Sequence, residues 1–153
     1  QVLRNAVQSG QIDTNELEGG WVSQQRVVEG VAALAEETGK SSMYTAGKEV
    51  GRNMPVSNTS SVESAISEFN DQHKNSFNSK KELSAGEFRW EHLDNDALRV
   101  SATSNWPYGA SFPNGSDFTT GIIEAVAENV VDAPEVTEVD PQPDESIALE
   151  LHW

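Results

Sequence analysis

The sequence contains no cysteine. That excludes disulfides, iron–sulfur clusters, thiolate zinc sites and a cysteine nucleophile. Positive charge is scarce: ten Lys and Arg stand against 25 Asp and Glu, for a formal net charge of -15. A surface of that sign repels phosphates, so direct binding of nucleic acid or of anionic membranes is disfavoured. The close basic pair Lys80-Lys81 is too small to change this and reads as the cap of a turn. Long apolar runs are missing too. No run approaches the ~18–20 residues of a membrane span, and no basic-then-apolar signal pattern opens the chain. The reading is a soluble, cytoplasmic protein. The catalytic signatures GxSxG, the P-loop and GxGxxG are all absent.

What is present suffices for one domain. The chain has 153 residues, 36% of them hydrophobic, with four Trp and five Phe as bulky core material. The acidic excess reads as solubility or as adaptation to a salt-rich source.

Residues 1–20 form a polar N-terminal segment, with "VLRNAV" as a short helix and "EGG" at 18–20 as a break. In 21–40, Val27, Val28, Val31, Leu34 and Ala35 fall at helical spacing, which predicts a helix over about 22–38 with Gly39 as its C-cap. Next comes "MYTAGKEVGRNMP", 43–55, a second helix capped by Ser41 or Ser42 and ended by Pro55. Gly47 and Gly51 sit on one side of it. A glycine inside a helix costs about 1 kcal/mol against alanine, and the close approach of another backbone is one reason to accept that cost. A third helix, capped by Thr59, Ser60 or Ser61, carries Val62, Ile66 and Phe69 as its apolar stripe. Residues 74–86 read as a loop.

The period then changes. "GEFRWEHL" alternates, with Phe88, Trp90 and His92 on one face, and "ALRVSAT" alternates with Leu98, Val100 and Ala102 on one face. Joined by Asp94–Asp96, the two make a hairpin. A Pro/Gly-rich loop follows, holding Trp106, Tyr108 and Phe112. "DFTTGIIEAVAENVV", 117–131, is a helix; "PEVTEVD" and "IALELHW" are strands joined by "PQPDES". Three helices, two strands, a helix and two strands make an α+β fold: an antiparallel sheet of about four strands with helices packed on it.

Three histidines are available to chemistry, His73, His92 and His152. His92 and His152 lie in strands and could be neighbours, but a metal site needs three or four clustered ligands, so ordinary strand histidines are the simpler reading. His73 lies near a helix end, where a cation is welcome; an axial haem ligand is the sharper alternative. The carboxylate pairs Glu16/Glu18, Glu36/Glu37 and Glu87/Glu91 are what any acidic chain shows and read as solvated faces. No catalytic set emerges, and the chain is read as non-enzymatic. "NWPYGASFPNG" is the most unusual segment. Its aromatics either pin the loop to the core or line a concave apolar site.

Taken in order, "MYTAGKEVGRNMP", "RVSATSNWPYG", "DFTTGIIEAVAENVV" and the last two strands resemble the V4R (4-vinyl reductase) domain superfamily, related to the Bet3-like fold and more distantly to haem-NO-binding domains. The resemblance covers about 21–153. It implies a sensory or regulatory domain that holds a small apolar ligand between helices and sheet, commonly as a homodimer and attached to a signalling partner. Met43, Tyr44, Trp90, Trp106, Tyr108, Phe112 and Phe118 are the candidate wall, with Tyr44 and Tyr108 placed to orient a polar group. Gly47, Gly51 and Gly121 are candidate helix-packing positions. Relatives with cysteines before the Phe-x-x-Gly helix bind zinc; here Ser116 and Asp117 stand there, so no metal or cofactor is expected by that route. Two alternatives stay open: a dimeric interaction or scaffold module with a filled core, and a haem-based gas sensor using a histidine.

Overall fold

Alternation of apolar and polar residues builds four strands: β1 (Phe88–Asp94), β2 (Ala97–Thr103), β3 (Glu135–Val139) and β4 (Glu145–His152). They form one sheet in the order β1-β2-β4-β3, with every neighbouring pair antiparallel. The computed structural model describes residues 24–54, 56–76 and 86–153. The short helix expected over "VLRNAV", the "EGG" break, Pro55 and most of the 74–86 loop lie outside those residues. The helices are α1 (Gln24–Asn53), α2 (Val62–Ser76) and α3 (Gly115–Ala127). The expected α+β class and the four-stranded antiparallel sheet are both observed.

Register fixes the core. Leu98 faces Leu151, Val100 faces Leu149 and Ala102 faces Ile147 across the central pair β2–β4, and all six are at most 1% exposed. The helices cover this face. The other face is polar, with Arg99 forking onto Glu145 through two bonds of 2.8 and 2.6 Å. Hydrogen bonding from Arg99 holds the Glu145 carboxyl at about 2, despite the opposing effect of its burial.

The two helices expected over 22–38 and 43–55 are joined as α1 across a kink at Gly39, where φ is 75° and ψ is -177°. Only a residue without Cβ adopts that conformation freely, so the sequence signal for a C-cap marks a bend here. Beyond it, α1 runs against α3. A Cβ on Gly47 would collide with the Phe118 carbonyl oxygen, and one on Gly121 with that of Tyr44. One on Gly51 would lie 2.7 Å from the Ala125 Cβ and 2.8 Å from the Ile122 carbonyl oxygen. The neighbour these glycines meet is a helix of the same chain. Along the rim of the seam, the Lys48 ammonium bonds to Glu124 at 2.8 Å and to Glu128 at 2.5 Å. Burial acts to lower the Lys48 pKa, but the two carboxylates outweigh it and raise it.

Helix α2 starts where Ser61 Oγ accepts the Ser64 N–H, a serine cap. Its buried residues Val62, Ala65, Ile66 and Phe69 face the core. Buried Asn70 does something else. Its amide donates to the Phe88 carbonyl at 2.7 Å and accepts the Phe88 N–H at 2.9 Å. It thereby satisfies the outer backbone groups of Phe88 at the start of edge strand β1, a place where proteins commonly guard against stray pairing. Helix α3 ends at Ala127, short of the expected Val131. Asn129 and Val130 instead donate to carbonyls three residues back, and the Asn129 side chain takes up the Ala125 and Val126 carbonyls.

Candidate functional site

Strand β2 delivers the chain directly into the aromatic loop. The Trp106 N–H bonds to Thr103 O at 2.8 Å, turning the chain inward. The indole N–H then donates to Thr119 Oγ1 of α3 at 3.0 Å, and the Thr119 hydroxyl donates to Tyr108 O at 2.6 Å. One threonine thus fixes two loop residues, and Trp106 is only 4% exposed. On its other flank Gly86, with φ at 77°, lets the backbone of Trp106 approach to where a Cβ would lie 2.8 Å away.

From Trp106 a belt of rings extends both ways. Tyr108 lies 5.6 Å from it, and Phe112 and Phe118 lie 5.2 and 4.8 Å from Tyr108. In the other direction Phe88 is 4.8 Å from Trp106, and Phe69 is 5.7 Å from Phe88. The belt ends at half-buried His73. Its imidazole stacks on Phe69 one helical turn earlier, with centroids 6.1 Å apart and planes 5° apart, and meets the Trp106 ring at 5.1 Å. Tilted contacts, which prevail along the belt, are a favoured geometry for aromatic pairs. Burial pushes the Tyr108 phenol up to about 12.

The structure therefore brings four of the seven candidate wall residues together: Trp106, Tyr108, Phe112 and Phe118. Met43 joins the same core at 1% exposure. Tyr44 is elsewhere. Its hydroxyl donates to Glu124 Oε2 at 2.6 Å on the α1–α3 rim, and its pKa is raised by burial and by that carboxylate. Lys48 lies 5.7 Å over its ring. Trp90 is also apart: it points to the helix-covered face, but from edge strand β1, and remains 37% exposed. The sequence reading leaves Phe69, Phe88 and His73 out of the wall. The spacing of Phe69 and His73, four apart on one helix, is the available signal for two of them.

The other histidines are set differently. His92 is 65% exposed with Nε2 3.0 Å from Glu63 Oε1, and His152 is 50% exposed with Nε2 3.6 Å from Glu150 Oε2. They are not neighbours, because β2 lies between their strands and pairs Leu98 with the one and Ala97 with the other. Among the described residues no cluster of three or more metal-binding side chains occurs.

Among the described residues, side chains fill the space between helices and sheet where a pocket is expected. Met43, Ile66, Phe69, Leu98, Ile122 and Leu149 are each under 2% exposed there. Two concavities open at the polar rim instead, one lined by Glu87, Arg89, Thr103, Ser104, Asn105 and Asp144, the other by the β1–β2 turn with His152 and Trp153. Neither includes a ring of the belt.

No protein-family model matches the chain, and no curated protein matches it. Solved structures do. One, concerned with modulating haem redox potential through protein-induced porphyrin distortion, superposes with a TM-score of 0.63 at 14% identity, covering 99% of this chain and 94% of that one. A phenylalanine-to-leucine variant of Tt H-NOX gives 0.59 at 16% identity, covering 99% and 88%. An isoleucine-to-phenylalanine mutant of T. tengcongensis H-NOX gives 0.59 at 15% identity, covering 99% and 92%. At such identities the likeness is one of architecture, and this chain shares the fold of the H-NOX structures.

Proposed function

We propose that this chain is a sensory domain that holds haem, with His73 as the protein ligand to iron. The observation that carries the reading is the setting of His73. Of the three histidines it alone is built into aromatic surroundings, while the other two are half or more exposed. Solved structures that share the fold include one concerned with haem redox potential, which supports haem as the group held.

The residues present fit the group in their donor chemistry. A single imidazole on an apolar wall is a recurrent way to hold haem iron. Phe69 keeps the imidazole plane aligned with its own ring, and Trp106, itself held by Thr119, fixes the imidazole edge. The wall also excludes water and lowers the local dielectric, which strengthens a bond between a nitrogen and a charged metal. The rings behind His73 stand 4.8–5.7 Å apart. A macrocycle between two rings needs roughly twice the 3.5 Å contact distance, so the belt serves as a wall behind the imidazole and not as a slot. Haem, when bound, supplies an iron centre able to take a small gaseous ligand.

Residues 21–153 form the sensory unit in this reading, which is non-enzymatic and cytoplasmic. A signalling partner or a second copy would receive its output. The finer V4R resemblance gives a second reading, an apolar ligand without metal. The observation favouring it is Tyr108, whose phenol ring stands among Trp106, Phe112 and Phe118, an apolar setting in which its hydroxyl could orient such a ligand. Native mass spectrometry of freshly purified protein separates the two. A complex with the mass of haem supports the first, a lighter organic adduct supports the second, and an unliganded dimer supports a scaffold module in place of both.

A further inference from the structure

Asn114 stands at the N-cap of α3, where an asparagine side chain ordinarily accepts a backbone N–H of its own helix. It makes no such bond. Its amide instead reaches across the chain and donates to the Ala35 carbonyl of α1 at 3.0 Å. Ala35 lies one turn before the Gly39 kink of α1. The Asn114 backbone is left-handed, with φ at 51°, a conformation asparagine tolerates better than most residues.

After Gly39, the Gly47, Gly51 and Gly121 contacts and the Lys48 ion pairs fasten α1 to α3. Before Gly39, its buried apolar side chains include the small Val31 and Ala35. The Asn114 bond lands on this first half. Asn114 also closes the aromatic loop: Phe112 N–H bonds to Gly109 O, and Gly115 N–H to Phe112 O, in consecutive turns that end at it. Among the described residues outside its own helix, nothing lies within 4 Å of a Cβ on Gly39.

We infer that Asn114 is a latch that couples the aromatic loop to the first half of α1, so that displacement of the loop at the candidate site is passed to the segment before Gly39. The inference rests on the fold and not on the identity of any ligand. It holds or fails whether or not haem binds.

The test is hydrogen exchange by mass spectrometry on the full chain without ligand, comparing wild type with Asn114→Gly. Glycine removes the amide while keeping the left-handed backbone free of strain. Loss of one hydrogen bond predicts exchange about three- to tenfold faster in peptides covering 31–38 and in those covering 108–113, with 43–53 and β4 unchanged. Asn114→Asp, which keeps the size but removes the donor, should act the same way. Acceleration in the loop alone would overturn the latch. So would no change, or equal acceleration in every element, which would mark Asn114 as a residue of general stability.

Discussion

Gly47→Ala tests the packing of the domain through a single methyl group. That methyl meets backbone, which cannot rotate away: it collides with the Phe118 carbonyl oxygen and lies 2.9 Å from the carbonyl carbon and 3.2 Å from the Ile122 nitrogen. Unstrained carbon contacts are about 3.5–4.0 Å, so relieving the carbonyl-oxygen clash requires α1 and α3 to part locally by more than about 1 Å, and a gap of about 0.5–1 Å already forfeits a quarter to a half of each contact it opens. The same motion loosens Gly51 from Ala125 and Gly121 from Tyr44, because all three sit on one seam. Overpacking costs about 1–3 kcal/mol, and the backbone clash puts this site at the upper end. Alanine returns about 1 kcal/mol in helix propensity. The expected net loss is about 2 kcal/mol, or roughly 4–8 °C in Tm for a chain of this size. Urea unfolding followed by circular dichroism measures it directly, with an unchanged m-value showing that the unfolded state is comparable. A variant as stable as wild type, or more stable, would refute the reasoning, because propensity alone would then govern the site.

Asn70→Leu should cost about 1–3 kcal/mol, since it leaves the outer N–H and carbonyl of Phe88 without their partner; urea unfolding reads the loss, and faster exchange of the Phe88 amide locates it. Glu145→Gln should change stability as a function of pH. The native pKa of about 2 lies below the ordinary carboxylate value, so this group stabilises the fold above about pH 4 and loses its contribution as pH falls toward 2. Wild type should therefore lose stability across that window more steeply than the glutamine variant, and equal slopes in acid unfolding would count against the Arg99 pairing.

The fold is readable where local pattern and tertiary role coincide. Period-two alternation at Leu98, Val100 and Ala102 specifies a face, and that face is the core. The spacing of Gly47 and Gly51 specifies one side of a helix, and that side meets α3. Alternation does not say which strand lies at the edge. Trp90 accordingly points to the covered face and still meets solvent, because β1 has a neighbour on one side. Tyr44 adjoins Met43 in sequence, but one residue is about 100° of helix, enough to turn it from the core to the Glu124 rim. Asn70 and Asn114 are invisible for another reason. Each spends its amide on a backbone group far along the chain, a pairing with no local signature. Gly39 reads as an end because a glycine C-cap and a glycine kink present the same sequence.

The haem reading is tested most directly by titrating ferric haem into the purified chain and into His73→Ala, His92→Ala and His152→Ala, followed by absorption spectroscopy. The account predicts a Soret band that saturates at one equivalent in wild type, persists in the His92 and His152 variants, and is lost or displaced in His73→Ala. A wild-type chain that gives no such band, or a band that survives in His73→Ala, would contradict it.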